Sequence, residues 1–125
     1  MDAFEIGIKV MGVGEAQGIL KRHLAPLTVG RLLRKLQEAP IASPAMVYGT
    51  GQICLQTTVV AGQEKAVRLV EPGDLGYVPQ TSAICIFTEK GEPYSPVNKV
   101  GQITEGLELF KTLRTGMMLS IALSE

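Results

Sequence analysis

Residues 100–123, VGQITEGLELFKTLRTGMMLSIAL, decide how the rest of the chain is read. Val100 to Ile103 is a short apolar run, and Thr104 follows with a hydroxyl that can accept from a free N–H in a first helical turn. Leu107, Phe110 and Leu113 recur every three residues, which places them on one stripe of a helix. Lys111 and Arg114 fall in its last turn, where the negative end of the helix dipole favours cations. Gly116 supplies a left-handed terminus. Beyond it Met117, Leu119, Ile121 and Leu123 alternate with Met118, Ser120, Ala122 and Ser124, the period of two that marks a half-buried strand. The stretch predicts strand, helix, strand, with the helix apolar on the side that can plug a β-rich body.

Moving to the start of the chain, Ile6, Ile8 and Val10 alternate with Glu5, Gly7 and Lys9, giving a first strand over residues 4–11. Gly12 and Gly14 permit a tight turn into a second strand at 15–23, with Gly18 as a bulge. The passage GVGEAQG resembles a dinucleotide-binding glycine fingerprint only superficially. That motif must open a helix, and here it opens a strand. Thr28 caps a first helix over 28–39, whose Val29, Leu32, Leu33 and Leu36 form an apolar stripe. Arg31, Arg34, Lys35 and Glu38 take its wet side, and Pro40 ends it.

The middle of the chain reads as short strands. Ala45 to Tyr48 begins one that Gly49 and Gly51 bend, residues 52–60 form the longest, and Ala66 to Val70 returns beside it after a polar loop. Pro72-Gly73-Asp74 is a turn delivering Leu75 to Val78, which Pro79 confines to a sheet edge. Residues 83–88, AICIFT, are apolar on both faces and must be covered on both. Gly91, Pro93 and Pro96 make 89–98 a structured loop. Eight or so strands with helices at two places predict one mainly β domain over residues 1–125, a closed or nearly closed barrel.

Composition bounds the function. The chain has 125 residues, 46% of them apolar, so one ordinary core is expected. Twelve Lys and Arg balance twelve Asp and Glu, so no net field recruits nucleic acid or an anionic membrane. The N-terminus lacks the basic residues of a signal peptide, and no apolar run approaches the ~20 residues of a membrane span. A soluble cytoplasmic protein is expected. Cys54 and Cys85 each sit in an apolar run, where they are expected as free, small hydrophobes rather than as a disulfide. One histidine, His23, and two cysteines without paired spacing do not make a metal site. No cofactor is expected. The acidic residues Glu71, Asp74, Glu89 and Glu92 lie at turns, where solvated charges are ordinary.

The stronger signal is a set of amphipathic groups in extended, turn-adjacent segments: Tyr48, Gln52, Gln56, Tyr77, Gln80, Tyr94 and Asn98. Tyrosines and amides can hold a ligand through one polar contact and an apolar body, which suits a groove. Equally, the tyrosines could seal the ends of a barrel.

The order of these elements, together with GDLGYVP, AICIFTEKG and NKVGQITEGLELFKTL, resembles the cyclophilin-like fold. LAPLTVGRLLRKL is similar to the first cyclophilin helix and the proline-threonine step that leads into it. Closer still are the small, single-domain, uncharacterised cyclophilin-like proteins of archaea and bacteria. They carry a glycine-aspartate turn leading to tyrosine and proline, an apolar strand like AICIFT, and a serine-proline-valine-asparagine passage, here Ser95 to Asn98. The resemblance implies an eight-stranded barrel closed by two α-helices.

Cyclophilins isomerise prolyl bonds in a groove on the barrel wall with an arginine and neighbouring aromatic, glutamine and histidine residues. Between the first helix and GDLGYVP this chain has MVYGTGQICLQTTVV, without arginine or phenylalanine, and Arg68 on the following segment is the only arginine nearby. Val97 or its neighbours stand where the groove histidine would be. Matched by strand register, Val78, Pro79, Ile84 and Ile86 face the groove, and a one-residue slip would present Tyr77, Cys85 and Phe87 instead. The expectation is a barrel that binds a small molecule or a proline-containing, extended peptide in its side groove without isomerase chemistry. Its contacts are expected from Tyr48, Gln52, Tyr77, Pro79, Gln80, Ile84, Ile86 and Tyr94. The alternatives are a divergent peptidyl-prolyl isomerase and a homo-oligomer that pairs through an apolar edge at Val47–Tyr48 or Leu75–Val78.

Overall fold

The computed structural model describes residues 2–49 and 51–124. Alternating sequence at the start of the chain makes an antiparallel hairpin, β1 (Ala3–Val10) with β2 (Gly14–Lys21), whose Ile6, Ile8 and Val10 point into the core. A short 3-10 turn at Arg22–Leu24 leads to α1 (Pro26–Glu38). The remaining strands are β3 (Ile41–Tyr48), β4 (Gln52–Gln56), β5 (Asp74–Val78), β6 (Ala83–Phe87), β7 (Asn98–Glu105) and β8 (Met118–Leu123). They close in the order β1-β2-β7-β5-β6-β4-β3-β8, and all pairings are antiparallel. No helix among the described residues is long and apolar enough to cross a membrane.

Closure comes from β8 lying against β1, with Ile6 opposite Leu123 and Val10 opposite Leu119. The β2–β7 register slips where Gln17 and Gly18 face Glu105 and Ile103, so the extra residue is Thr104 on β7 rather than Gly18, where a bulge was expected. There the backbones approach so closely that a Cβ on Gly101 would run into the Ile19 carbonyl. The barrel interior holds Ile53, Leu55, Leu75, Tyr77, Ile84 and Ile86 together with the apolar stripe of α1. That stripe, Val29, Leu32, Leu33 and Leu36, is the one read from the sequence.

Three expectations need correction. The second α-helix is instead a single 3-10 turn, Leu107–Phe110. Thr104, expected to cap the helix, still lies within β7, which runs on to Glu105, and Gly106 takes a left-handed φ of 88°. An α-helix N-cap needs extended backbone, so no regular helix starts there. Phe110 and Leu113 still reach the core, so the plug survives while its secondary structure does not. Second, residues 57–73 are not strands. β4 stops at Gln56, and Val67 and Val70 make only isolated bridges to Val97 and Gly91. Third, β5 is no edge, because Leu75 to Tyr77 pair with both β6 and β7.

Helix α1 starts at Pro26, two residues earlier than expected, and no side chain of its own N-cap residue caps it. Glu64, far along the chain, does so instead. One carboxylate oxygen accepts from the Leu27 N–H at 2.9 Å, and the other accepts from the Thr28 N–H and hydroxyl, each at 2.8 Å. Buried Asn98 completes the junction. Its amide donates to the Thr28 hydroxyl and the Gly62 carbonyl, and its oxygen accepts from the Glu64 N–H. Burial pushes the Glu64 carboxyl up, but the Leu27 and Thr28 donors and the nearby Lys65 charge outweigh it and hold it below the ordinary carboxylate value.

Two outcomes are expected. Glu64→Ala removes a helix cap and should lower stability by about 1–2 kcal/mol at neutral pH. A carboxylate with a depressed folded-state pKa stabilises above its unfolded-state value and loses that contribution as the pH falls through the folded one. Urea titrations should therefore show the wild type and variant converging in acid. Gly101→Ala should cost about 3 kcal/mol or more, since backbone rather than a flexible side chain blocks the added methyl. Thermal melts would check it.

Candidate functional site

The outward face of β4 and β6 is apolar and carries a second, smaller core. Cys54, Val78, Ala83, Cys85 and Phe87 pack there with Val70 and Val97 from the covering loops. The cover is incomplete. Between the β3–β4 turn and the loop after β6 lies a recess of about 360 Å³. Gln52, Phe87 and Val70 line it together with Tyr48, Gly49 and Gly51 on one side and residues 89–94 on the other.

Two tyrosines from opposite sides meet at this recess. The Tyr48 and Tyr94 ring centroids are 4.8 Å apart with planes tilted by 42°. Tyr48 is 40% and Tyr94 45% exposed, so both rings remain partly accessible to a bound group. The Tyr94 hydroxyl shares a hydrogen bond with the Thr81 hydroxyl at 3.1 Å, and the Tyr48 hydroxyl contacts the Met46 sulfur at 3.6 Å. Gln52 is buried beneath them. Its oxygen accepts from the Tyr94 N–H at 3.4 Å, and its NH2 lies 3.6 and 3.7 Å from the Cys54 and Cys85 sulfurs.

Those sulfurs overturn the expectation of free cysteines. Cys54 and Cys85 stand directly opposite across β4 and β6, with Cα atoms 4.2 Å apart, and are joined as a disulfide. Sequence could not reveal this, because the residues are 31 positions apart and only the pairing register aligns them.

Of the eight residues expected at the groove, Tyr48, Gln52 and Tyr94 gather at this recess. Tyr77, Ile84 and Ile86 do not. They face the barrel interior, because strand alternation sends Gly76 and Val78 outward from β5 and Cys85 and Phe87 outward from β6. The one-residue slip is thus realised on β6, where Cys85 and Phe87 take the outward positions. On β5 the register as first matched holds, with Val78 outward. Pro79 and Gln80 sit in the β5–β6 turn and do not line the recess.

The Tyr77 hydroxyl instead donates to the Val59 carbonyl and accepts from the Ala61 N–H, tying down the loop across the barrel end. Gln56 donates to the carbonyls of Thr81 and Ser82, and Asn98 belongs to the helix junction. Their roles are structural.

Charge at the recess is sparse and mixed. Glu89, Lys90 and Glu92 line it, Lys90 lies 4.0 Å from Glu71, and no arginine is among the lining residues. Arg68 is exposed elsewhere on the loop. Among the described residues no group of His, Cys, Asp and Glu is placed to hold a metal ion. A larger hollow of about 460 Å³ beside Phe4, Ile19 and Leu123 is mostly apolar, with Glu5 and Ser124 at its margin. It lacks the convergent polar groups that orient a ligand. The loop lining at 89–93 was not among the expected contacts, and the floor residue Phe87 was offered only by the one-residue slip. The only trace of the former in the sequence was the Gly91, Pro93 and Pro96 spacing that marked a shaped loop.

A family model described as cyclophilin-like matches residues 6–122. The solution structure of a hypothetical protein from Archaeoglobus fulgidus superposes with a TM-score of 0.76 at 26% identity, covering 97% of this chain and 95% of that one. No curated protein matches the sequence.

Tyr77→Phe separates a core role from a groove role. It strands the Val59 carbonyl and Ala61 N–H and should cost about 1–3 kcal/mol in urea unfolding. The amide spectrum around Tyr48 and Tyr94 should stay unchanged.

Proposed function

The chain belongs to the cyclophilin-like family, and from that premise we propose that it binds a small molecule or an extended, proline-containing peptide in the recess lined by Tyr48, Gln52 and Tyr94, without isomerase chemistry. The observation that supports this reading is the convergence of Tyr48, Gln52 and Tyr94, from three separate segments, on one concave site. Two partly exposed aromatic rings supply apolar contact area, while the Gly51 carbonyl and both Gly91 backbone groups are already paired, with the Thr88 N–H and with Val70, which leaves few polar groups for a ligand. This is the usual composition of a site that orients a ligand by few polar groups.

The lack of chemistry is argued from the donors. Rotating an X–Pro bond crosses a barrier of ~18–20 kcal/mol, and lowering it calls for a fixed donor in a water-poor setting. The only cation at the recess is Lys90, which is exposed to solvent and near Glu71. A hydrated ammonium in high dielectric is a weak electrophile. The Gln52 NH2 is turned toward sulfur rather than toward the opening. The cytoplasm is the compartment in which we place this binding, with neither nucleic acid nor membrane as partner.

Titrating proline-containing peptides and a metabolite set into nitrogen-15-labelled protein should shift Gly49, Gly51, Gly91 and Tyr94. Tyr48→Ala should weaken the bound compound about tenfold, the loss of one aromatic contact. Shifts confined to other faces of the barrel would sink the reading. Acceleration in a coupled prolyl-isomerisation assay, abolished by Gln52→Ala, would establish the divergent isomerase instead.

A further inference from the structure

The floor of the recess rests on the only two cysteines in the chain, and one residue touches both the sulfurs and the aromatic wall. Gln52 spans 3.6 and 3.7 Å to the sulfurs on one side and 3.4 Å to the Tyr94 N–H on the other. We propose that the Cys54–Cys85 pair is a redox control on the recess, read out through the Gln52 amide. The proposal rests on the reading of this recess as the binding site.

The physical asymmetry lies in hydrogen bonding. Disulfide sulfurs offer no donor, so Gln52 can face them only with its NH2, which leaves its oxygen for Tyr94. Reduction changes both chemistry and volume. A reducing dithiol attacks one sulfur as a thiolate, the S–S bond breaks, and a mixed disulfide forms. The reductant's second thiolate then releases it. Two electrons enter the pair, two protons convert it to thiols, and the reductant leaves as its own disulfide. Each thiol is now a weak donor, and the sulfurs must part from about 2.0 Å to non-bonded contact.

A half-turn of the Gln52 amide would carry its oxygen to the place its NH2 now holds, 3.6 and 3.7 Å from the sulfurs. If it turns to the thiols, the NH2 faces the Tyr94 N–H, donor against donor, and the loop carrying Tyr94 loses that anchor. If it stays, two buried donors go unmet beneath the floor. In either case the dithiol form loosens the wall that holds Tyr94 over Tyr48. Both cysteines are fully buried, so the attacking thiolate reaches them only when the 89–97 segment opens, and a bound ligand that holds it shut slows reduction. In a reducing compartment the pair rests as thiols and oxidation tightens the site, the usual behaviour of a cytosolic redox-sensing pair.

The test uses the full chain and needs no ligand, so it stands or falls apart from the binding reading. Labelled protein is equilibrated with oxidised glutathione or with dithiothreitol, then denatured and alkylated for mass spectrometry. The oxidised sample should take up no label and the reduced sample two. In spectra of the native protein, Gly51, Gly91, Tyr94 and the Gln52 side-chain NH2 should differ between states, while Gly12 and Gly30 should not. Exchange of the Tyr94 amide should be about fivefold faster when reduced, the effect of one lost hydrogen bond. Gln52→Leu keeps the pair but cuts the relay, and should abolish the Tyr94 difference. Thiols that stay alkylable in oxidised glutathione, or recess signals that coincide in the two states, would overturn the proposal. A peptide or metabolite titration that fails in both states would remove only the binding reading.

Discussion

The structure depends on the pairing of its first and last strands. When β8 lies along β1, an eight-stranded sheet becomes a ring and no long strand edge is left to recruit another chain. Ring closure also fixes which face of every strand is inside. Since side chains alternate, one register decides that Ile84 and Ile86 fill the interior while Cys85 and Phe87 look out. That outward face is itself apolar and must be shielded from water. The segments at 57–73 and 89–97 provide the shield, and the recess is the place where the shield stops short of the β3–β4 turn.

The shield is held at one end by charge and at the other by aromatic contact. Glu64 satisfies the first N–H groups of α1, groups that would otherwise face an opening without a cap. Asn98 on β7 makes the connection three-cornered. A buried amide with all its partners present specifies a unique arrangement, whereas a half-satisfied one would be costly. The helix, the irregular segment and the barrel wall are therefore one mechanical unit. By contrast, Tyr94 is held by a 3.4 Å contact to Gln52, a 3.1 Å hydrogen bond between exposed hydroxyls and a tilted ring, so the recess has one side tied by a buried network and one tied nearer to solvent.

Much of this was legible before any coordinates. Strict alternation in EIGIKV and MLSIAL, the stripe Val29-Leu32-Leu33-Leu36 and the doubly apolar AICIF each permit one placement. The second helix was misread because its stripe of Leu107, Phe110 and Leu113 fits a 3-10 turn as well as an α-helix. A spacing of three cannot separate them, and β7 consumed the residues meant for its cap. The 57–73 segment misled because TTVV and AVRLV have strand composition, while their surroundings leave them only isolated bridges. At the site, tyrosine and glutamine chemistry pointed to Tyr48, Gln52 and Tyr94. It equally pointed to Tyr77, whose hydroxyl proved to staple a loop. Composition identifies groups able to bind, but only register says which way they face. The cysteine pair was beyond reach for the same reason.

Strand β6 has every residue buried, on both sides of the barrel wall. Such a strand has no position at which a polar residue could be introduced without a buried orphan. Substitution that leaves the wall intact is therefore confined to the rims, at Tyr48, Gly49 and residues 89–94, which are exposed or half-buried. New ligand preferences can then arise by exchanging rim residues while the ring beneath goes on folding unchanged.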